Sequence, residues 1–179
     1  MVMKKIQSAL ILLMALGLSS FTLFKSIEWS ISENYSIKFN SDNPSGVFKS
    51  FKGKILFDPD NLSQSEFNLT VDVNSINTGN GMKNKHALSD EWFDAKQFPE
   101  ITFKSNDFKK DESGYLVRGV MTIHGISKEM TIPFDFVNNT FNSSFKVNRT
   151  DFNVGSTKGM SAKASTELTI DVNVPVTQK

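Results

Sequence analysis

The side chains able to do chemistry are few. His86 and His124 are the two imidazoles in 179 residues, and there is no cysteine. That removes disulfides, thiol nucleophiles, thiolate zinc sites and iron–sulfur clusters together. No Gly-x-Ser-x-Gly elbow, phosphate-cradling glycine loop or His-Glu-x-x-His helix occurs. His124 precedes Gly125 in what reads as a hairpin turn, where an imidazole is expected to be solvated. His86 lies beside Asn84 and Asp90, placed for a head-group contact or a structural hydrogen bond. Acids alternate outward, so no carboxylate pair is nominated. Arg149 stands apart: it continues the apolar phase of Phe141, Phe145 and Val147. A charge in that phase must sit at an element's end, paired with Asp94 or Asp151, or face an anionic ligand head, because an isolated buried charge costs several kcal/mol. No catalytic residue, metal or cofactor is assigned.

The elements that must hold these residues are strands. Phe67-Leu69-Val71-Val73, Met130-Ile132-Phe134-Phe136 and Leu168-Ile170-Val172-Val174 alternate with polar neighbours, the mark of a half-buried strand. Weaker versions run Tyr35-Ile37-Phe39, Val47-Phe51-Ile55-Phe57, Ile101-Phe103, Tyr115-Val117-Met121-Ile123 and Phe141-Phe145-Val147, making eight candidates. Turn clusters at Asn43-Pro44-Ser45-Gly46, Asp58-Pro59-Asp60-Asn61, Glu112-Ser113-Gly114, His124-Gly125 and Asn138-Asn139 separate them. Short links favour antiparallel, up-and-down neighbours. Pro133 and Pro175 predict an edge, a bulge or a strand end. Residues 77–97 lack alternation and predict a short helical insertion near residues 82–95, with Ser89 as an N-cap. Eight strands with one apolar face each make a sandwich or a closed barrel, and sixteen phenylalanines would either pack its interior or line it.

Twenty basic against nineteen acidic residues, with no block of like charge, argue against a nucleic-acid partner. Lys4 and Lys5 precede the apolar run Ala9–Leu18, the plan of a signal peptide over residues 1–19. The run is shorter than the roughly 20 residues of a spanning helix. Residues 20–179 are read as a single domain that is exported, periplasmic or extracellular, with no stable membrane insertion. The alternative is an uncleaved N-terminal anchor.

Four stretches together resemble the YceI-like family of exported, lipocalin-like lipid-binding proteins. They are HALSDEWFDAKQFPEITFKS (His86 to Ser105), GYLVRGVMTIHGISKEMTIPFDF (Gly114 to Phe136), FKVNRTDFNVG (Phe145 to Gly155) and NSINTGN (Asn74 to Asn80). The resemblance implies an all-β fold, an eight-stranded antiparallel up-and-down barrel whose lumen holds one isoprenoid-like or fatty amphiphile, and no catalytic residues or metal. Where many members carry a His-Ser pair on the first strand, this chain has Tyr35-Ser36.

The expected lumen residues are Phe39, Phe67, Leu69, Val71, Phe103, Val117, Met121, Phe134, Phe136, Phe145 and Ile170. Tyr35, His86, Trp92 and Arg149 are candidates for a head group or the rim. The expected partner is a long-chain lipid or isoprenoid, bound by a monomer or homodimer without catalysis. A ligand-free structural or stress-response envelope protein is the alternative, and a lipid-modifying enzyme a lesser one. With binding driven by area, at about 0.8 kcal/mol per buried methylene, selectivity should be weak among heads and stronger for chain length. Phe134→Arg is expected to abolish lipid uptake and Asp135→Arg to leave it intact. Equal retention by both folded variants would overturn the assignment of faces.

Overall fold

The computed structural model describes residues 26–179; the expected signal segment, residues 1–19, lies outside them. Among the described residues there are eleven strands: β1 (Glu28–Ile31), β2 (Ser36–Asn40), β3 (Gly46–Phe48), β4 (Phe51–Leu56), β5 (Glu66–Asp72), β6 (Ile76–Asn77), β7 (Glu100–Asp111), β8 (Gly114–Ile123), β9 (Ile126–Val137), β10 (Thr140–Asn148) and β11 (Glu167–Gln178). The first six are halves of three long staves, each broken once, so the architecture has eight staves. All pairings are antiparallel, and β11 closes the ring by pairing with both β1 and β2. The result is the expected closed eight-stranded barrel.

The three breaks lie side by side. Ser50 O accepts from Asp72 N, and Ser75 O accepts from Lys49 N. Tyr35 ties the first two breaks together: its hydroxyl donates to Lys49 O at 2.9 Å and accepts from Phe51 N at 3.0 Å. The third is a 3-10 turn, Val73–Ser75, capped by the Asp72 carboxylate. Three aligned interruptions form a corner that lets the sheet bend.

Several details depart from the alternation pattern. The candidate stave Val47 to Phe57 is broken at Lys49-Ser50, and the short strand around Trp29 was not among the eight candidates. β7 runs eight residues beyond Phe103 because a bulge between Ser105 and Asp107 shifts its phase, so that Phe103 and Phe108 both point inward. A single inserted residue erases period-two alternation. The insertion is a helix, α1 (Gly81–Ala87), capped by Asn80 rather than Ser89. The Asn80 side chain accepts from Met82 N and Lys83 N, whereas the Ser89 hydroxyl donates back to His86 O. Leu88 to Phe98 are turns.

The two prolines act as their chemistry requires. The β9–β10 ladder extends over three pairs only, from Thr140↔Val137 to Asn142↔Asp135. Two residues further along β9 is Pro133, which has no N–H to give, and its carbonyl accepts from Ser143 Oγ instead. Beyond it β9 and β10 diverge as a seam. Pro175 stands where β11 changes partners, its carbonyl accepting from Ser32 N in the break between β1 and β2. Two hairpins turn through paired left-handed residues, His124-Gly125 and Asn138-Asn139, the geometry of a type I′ turn.

One end of the barrel is solid. Phe57, fully buried, meets the rings of Phe67, Phe108, Tyr115, Phe134, Phe136 and Phe141 at centroid separations of 5.1–6.4 Å. Trp29 fixes it by donating Nε1–H to Phe57 O at 2.9 Å. Phe57→Ala should cost about 3–5 kcal/mol, the range for deleting a fully enclosed ring. Urea unfolding monitored by Trp fluorescence checks this; a loss under about 1 kcal/mol would mean the cluster does not depend on its centre.

Candidate functional site

Above the ring cluster the barrel is hollow. A cavity of about 550 Å³ occupies the half between the cluster and the end where the 40–46 loop, the 77–99 segment, the 124–125 turn and the 149–166 segment meet. Its wall comes from the inward phase of the strands: Ile37 and Phe39 on β2, Leu69 and Val71 on β5, Ile101 and Phe103 on β7. Met121 on β8, Phe145 and Val147 on β10, and Leu168, Ile170 and Val172 on β11 complete it. Phe67, Phe134 and Phe141 form the floor, shared with the ring cluster. Several wall residues, Leu69, Val71, Phe145 and Ile170 among them, point inward yet are only half-buried. They face a void rather than other side chains.

Of the eleven residues expected in the lumen, ten lie on this wall or floor, Val117 included. Phe136 does not. It is in the solid end, 4.4 Å from Phe141 and 5.1 Å from Trp29 by ring centroids. Alternation puts Phe134 and Phe136 on the same face but says nothing about depth along the axis. Phe134 belongs to the floor cluster, so a charge there disturbs packing as well as the lumen.

The roof is organised by Arg149. The Asn148 side chain caps the 3-10 turn Arg149–Phe152 through Thr150 N, which ends β10 and leaves Arg149 pointing inward at 6% exposure. The expected carboxylate partners are engaged elsewhere: Asp151 lies 3.5 Å from Lys128, and Asp94 accepts from Gln97. Instead the guanidinium donates to five backbone carbonyls. Nε reaches Ser165 O at 2.9 Å, Nη1 reaches Val154 O at 2.7 Å, and Nη2 lies 3.3 Å from Ser156, Ser161 and Ala164 O. No other side chain reaches five carbonyls from one rigid fork; around Nη2 two N–H groups are shared among three of them. Burial lowers the Arg149 pKa from its ordinary value, yet a guanidinium stays charged. Its other face stacks on Trp92, 5.0 Å from the ring centroid. Gly155, at φ +68°, lets the indole lie flat, since a Cβ there would come within 2.7 Å of it. The Trp92 Nε1–H is shielded and has no protein acceptor among the described residues.

The remaining candidates separate. His86, on α1, lines the mouth, with its ring 6.0 Å from that of Trp92 and Nε2 3.6 Å from Glu91. Tyr35 is outside the cavity wall, its hydroxyl spent on the stave breaks. His124 is not the solvated turn residue expected. It is half-buried, edge-on to Phe98 at 4.8 Å, with Nδ1 3.3 Å from Phe152 O. Packing of Phe98 against the 124–125 turn is tertiary and leaves no local sequence signal.

One polar chain could be mistaken for a catalytic relay. Buried Ser161 donates its hydroxyl to Glu91, whose other oxygen faces His86. Here the acid is central, so no imidazole is placed to take the serine proton. Among the described residues no group of three His, Asp or Glu could hold a metal ion, and no helix is long and apolar enough to cross a membrane.

Comparisons with known proteins agree with this geometry. A model of the YceI-like domain matches residues 25–176. Protein YceI of Salmonella arizonae is 31% identical over 137 residues, 71% of each chain. The crystal structure of BcnA from Burkholderia cenocepacia is 30% identical and superposes with a TM-score of 0.74, covering 83% of this chain and 99% of that one. A polyisoprenoid binding domain from Saccharophagus degradans, 13% identical, shares the fold at a TM-score of 0.60, covering 84% and 98%.

Removing the Arg149 fork takes a donor from five carbonyls, of which Ser161 O keeps Ala164 N as a partner, at a penalty of about 1–3 kcal/mol for each group left buried and unpaired. Arg149→Met is therefore expected to lose about 3 kcal/mol or more in denaturant unfolding and to raise amide exchange across residues 149–166. Arg149→Lys, a single ammonium, should recover only part of this. Wild-type exchange in Arg149→Met would mean that the segment is held by other contacts.

Proposed function

The chain belongs to the YceI-like domain family, and from that premise we propose that its barrel binds one long-chain amphiphile, tail inward, in the exported compartment of the cell. The protein sequesters or carries that molecule without altering it. The observation that carries this reading is the apolar-walled cavity of about 550 Å³, within the roughly 300–1,000 Å³ of small-molecule sites. A packed structural barrel has no reason to keep such a void, because each lost contact costs dispersion energy.

The floor sets the tail's length. At about 30 Å³ per small group, the volume of a liquid water, the cavity holds at least on the order of eighteen methylene-sized units. Their burial is worth about 14 kcal/mol gross at 0.8 kcal/mol each, against an association cost of about 4–15 kcal/mol. A tail of about sixteen carbons or more is accommodated on this count. Selection by chain length follows from this floor, as the area argument from sequence expects.

Native mass spectrometry of protein taken from the cell envelope, followed by solvent extraction, tests the reading. The expected result is a stoichiometric adduct of a single-chain lipid, lost in Leu69→Arg and retained in Asn68→Arg. Leu69 faces the void and Asn68 the solvent, so both variants are expected to fold. A bare mass that stays bare after incubation with envelope lipids would favour a structural barrel.

A further inference from the structure

The mouth of the cavity is electrostatically one-sided. Apart from the spent Arg149, the charged residues around it are Lys38, Lys83, Lys163 and the titratable His86, with no Asp or Glu on the lining. Lys38 sits on the outward phase of β2, between buried Ile37 and Phe39. Asn43 ties the Lys83 ammonium and the Lys163 backbone to one point of the rim, and both lysines line the mouth. The Asn43 Nδ2 donates to Lys163 O at 3.3 Å, its Oδ1 accepts from Lys83 Nζ at 3.4 Å, and Ser165 N donates to its backbone carbonyl at 2.8 Å. Neither lysine nor Arg149 has a carboxylate partner among the described residues.

The acids at this end are committed elsewhere or do not line the cavity. Glu91 is held by Ser161 and His86, Asp151 by Lys128 and Asp94 by Gln97. Asp42 and Asp90 are exposed at this end and outside the lining. Arg149 donates all its bonds to neutral carbonyls, so its positive charge remains uncompensated at the roof, and the shielded Trp92 Nε1–H is again a donor. Cations and donors without matching acids, over a low-dielectric lumen, focus positive potential on the opening.

We infer that the bound amphiphile carries an anionic head, a carboxylate or a phosphate, seated between Lys83 and Lys163 at the mouth. This rests on the carrier reading above and adds head-group selection, which area burial alone does not supply. The head contributes less affinity than the tail, because rim charges are partly hydrated, but it orients the ligand and speeds its capture.

The test compares lipids of one tail length on delipidated protein: octadecanoate, octadecyl phosphate and octadecanol, titrated at low salt. At least one anion is expected to bind about fivefold more tightly than the alcohol, two rim pairs being worth up to this much. The gap should narrow at about 0.15 M salt and close in Lys83→Gln/Lys163→Gln. Lys109→Gln/Lys110→Gln, exposed on β7 at the opposite end, should keep the gap. Preference for one anion over the other supports the inference and names the head class. Equal affinity for acid and alcohol would overturn the anionic head while leaving the carrier reading intact. Failure of all three to bind would overturn the carrier reading itself, and the inference with it.

Discussion

An eight-stranded barrel fixes its interior by strand number and tilt, and its side chains either fill that volume or leave it empty. The rest of this structure follows from how unevenly the volume is filled. Around Phe57 six aromatic rings converge, four of them edge to face with it, geometry favoured by the ring quadrupole. Toward the other end the inward residues are largely aliphatic, spaced around a void. The solid half supplies the stability that a hollow half forfeits, and it serves as a floor. A barrel packed evenly would bind nothing, and one hollow throughout would lack a core for a domain without disulfides.

The hollow end needs a roof, and a roof made of loops must satisfy its own backbone. The 149–166 segment crosses the mouth with few ladder partners, and several of its carbonyls turn inward. One guanidinium collects five of them and rests on Trp92. This is an economical way to order an irregular segment, since each bond reinforces one pre-organised fork. Its consequence is electrostatic: a cation solvated by carbonyl dipoles rather than paired with a carboxylate leaves the roof positive. The same device that holds the loop therefore biases the chemistry of whatever approaches the opening.

The barrel is also less uniform around its circumference than the strand count implies. Aligned breaks at Ser32–Tyr35, Lys49-Ser50 and Val73–Ser75 fold one side into a corner, with Tyr35 as the cross-tie. Opposite behaviour occurs at Pro133, where a missing N–H ends the β9–β10 ladder and leaves a seam flanked by Ile132, Ser143 and Phe145 of the cavity wall. Both features come from local backbone chemistry, yet both shape the lumen.

Strand positions, facing and most tight turns were legible in the sequence, because each depends on neighbours within a few residues. Leu69 and Val71 alternate with polar partners, His124-Gly125 and Asn138-Asn139 must take left-handed backbone, and Pro133 cannot donate. Ten cavity residues could be named from phase alone. Phase is blind to position along the barrel axis, so it could not separate Phe136, in the solid end, from Phe134, at the floor. It failed where a bulge reset it, which hid Phe108. Nor did sequence disclose that Arg149 would be met by carbonyls instead of Asp94 or Asp151, since backbone acceptors carry no signature in residue identity. Whether sixteen phenylalanines fill a barrel or line it depends on where their rings converge in space. Only the closed sheet, by fixing those distances, left half of the interior empty.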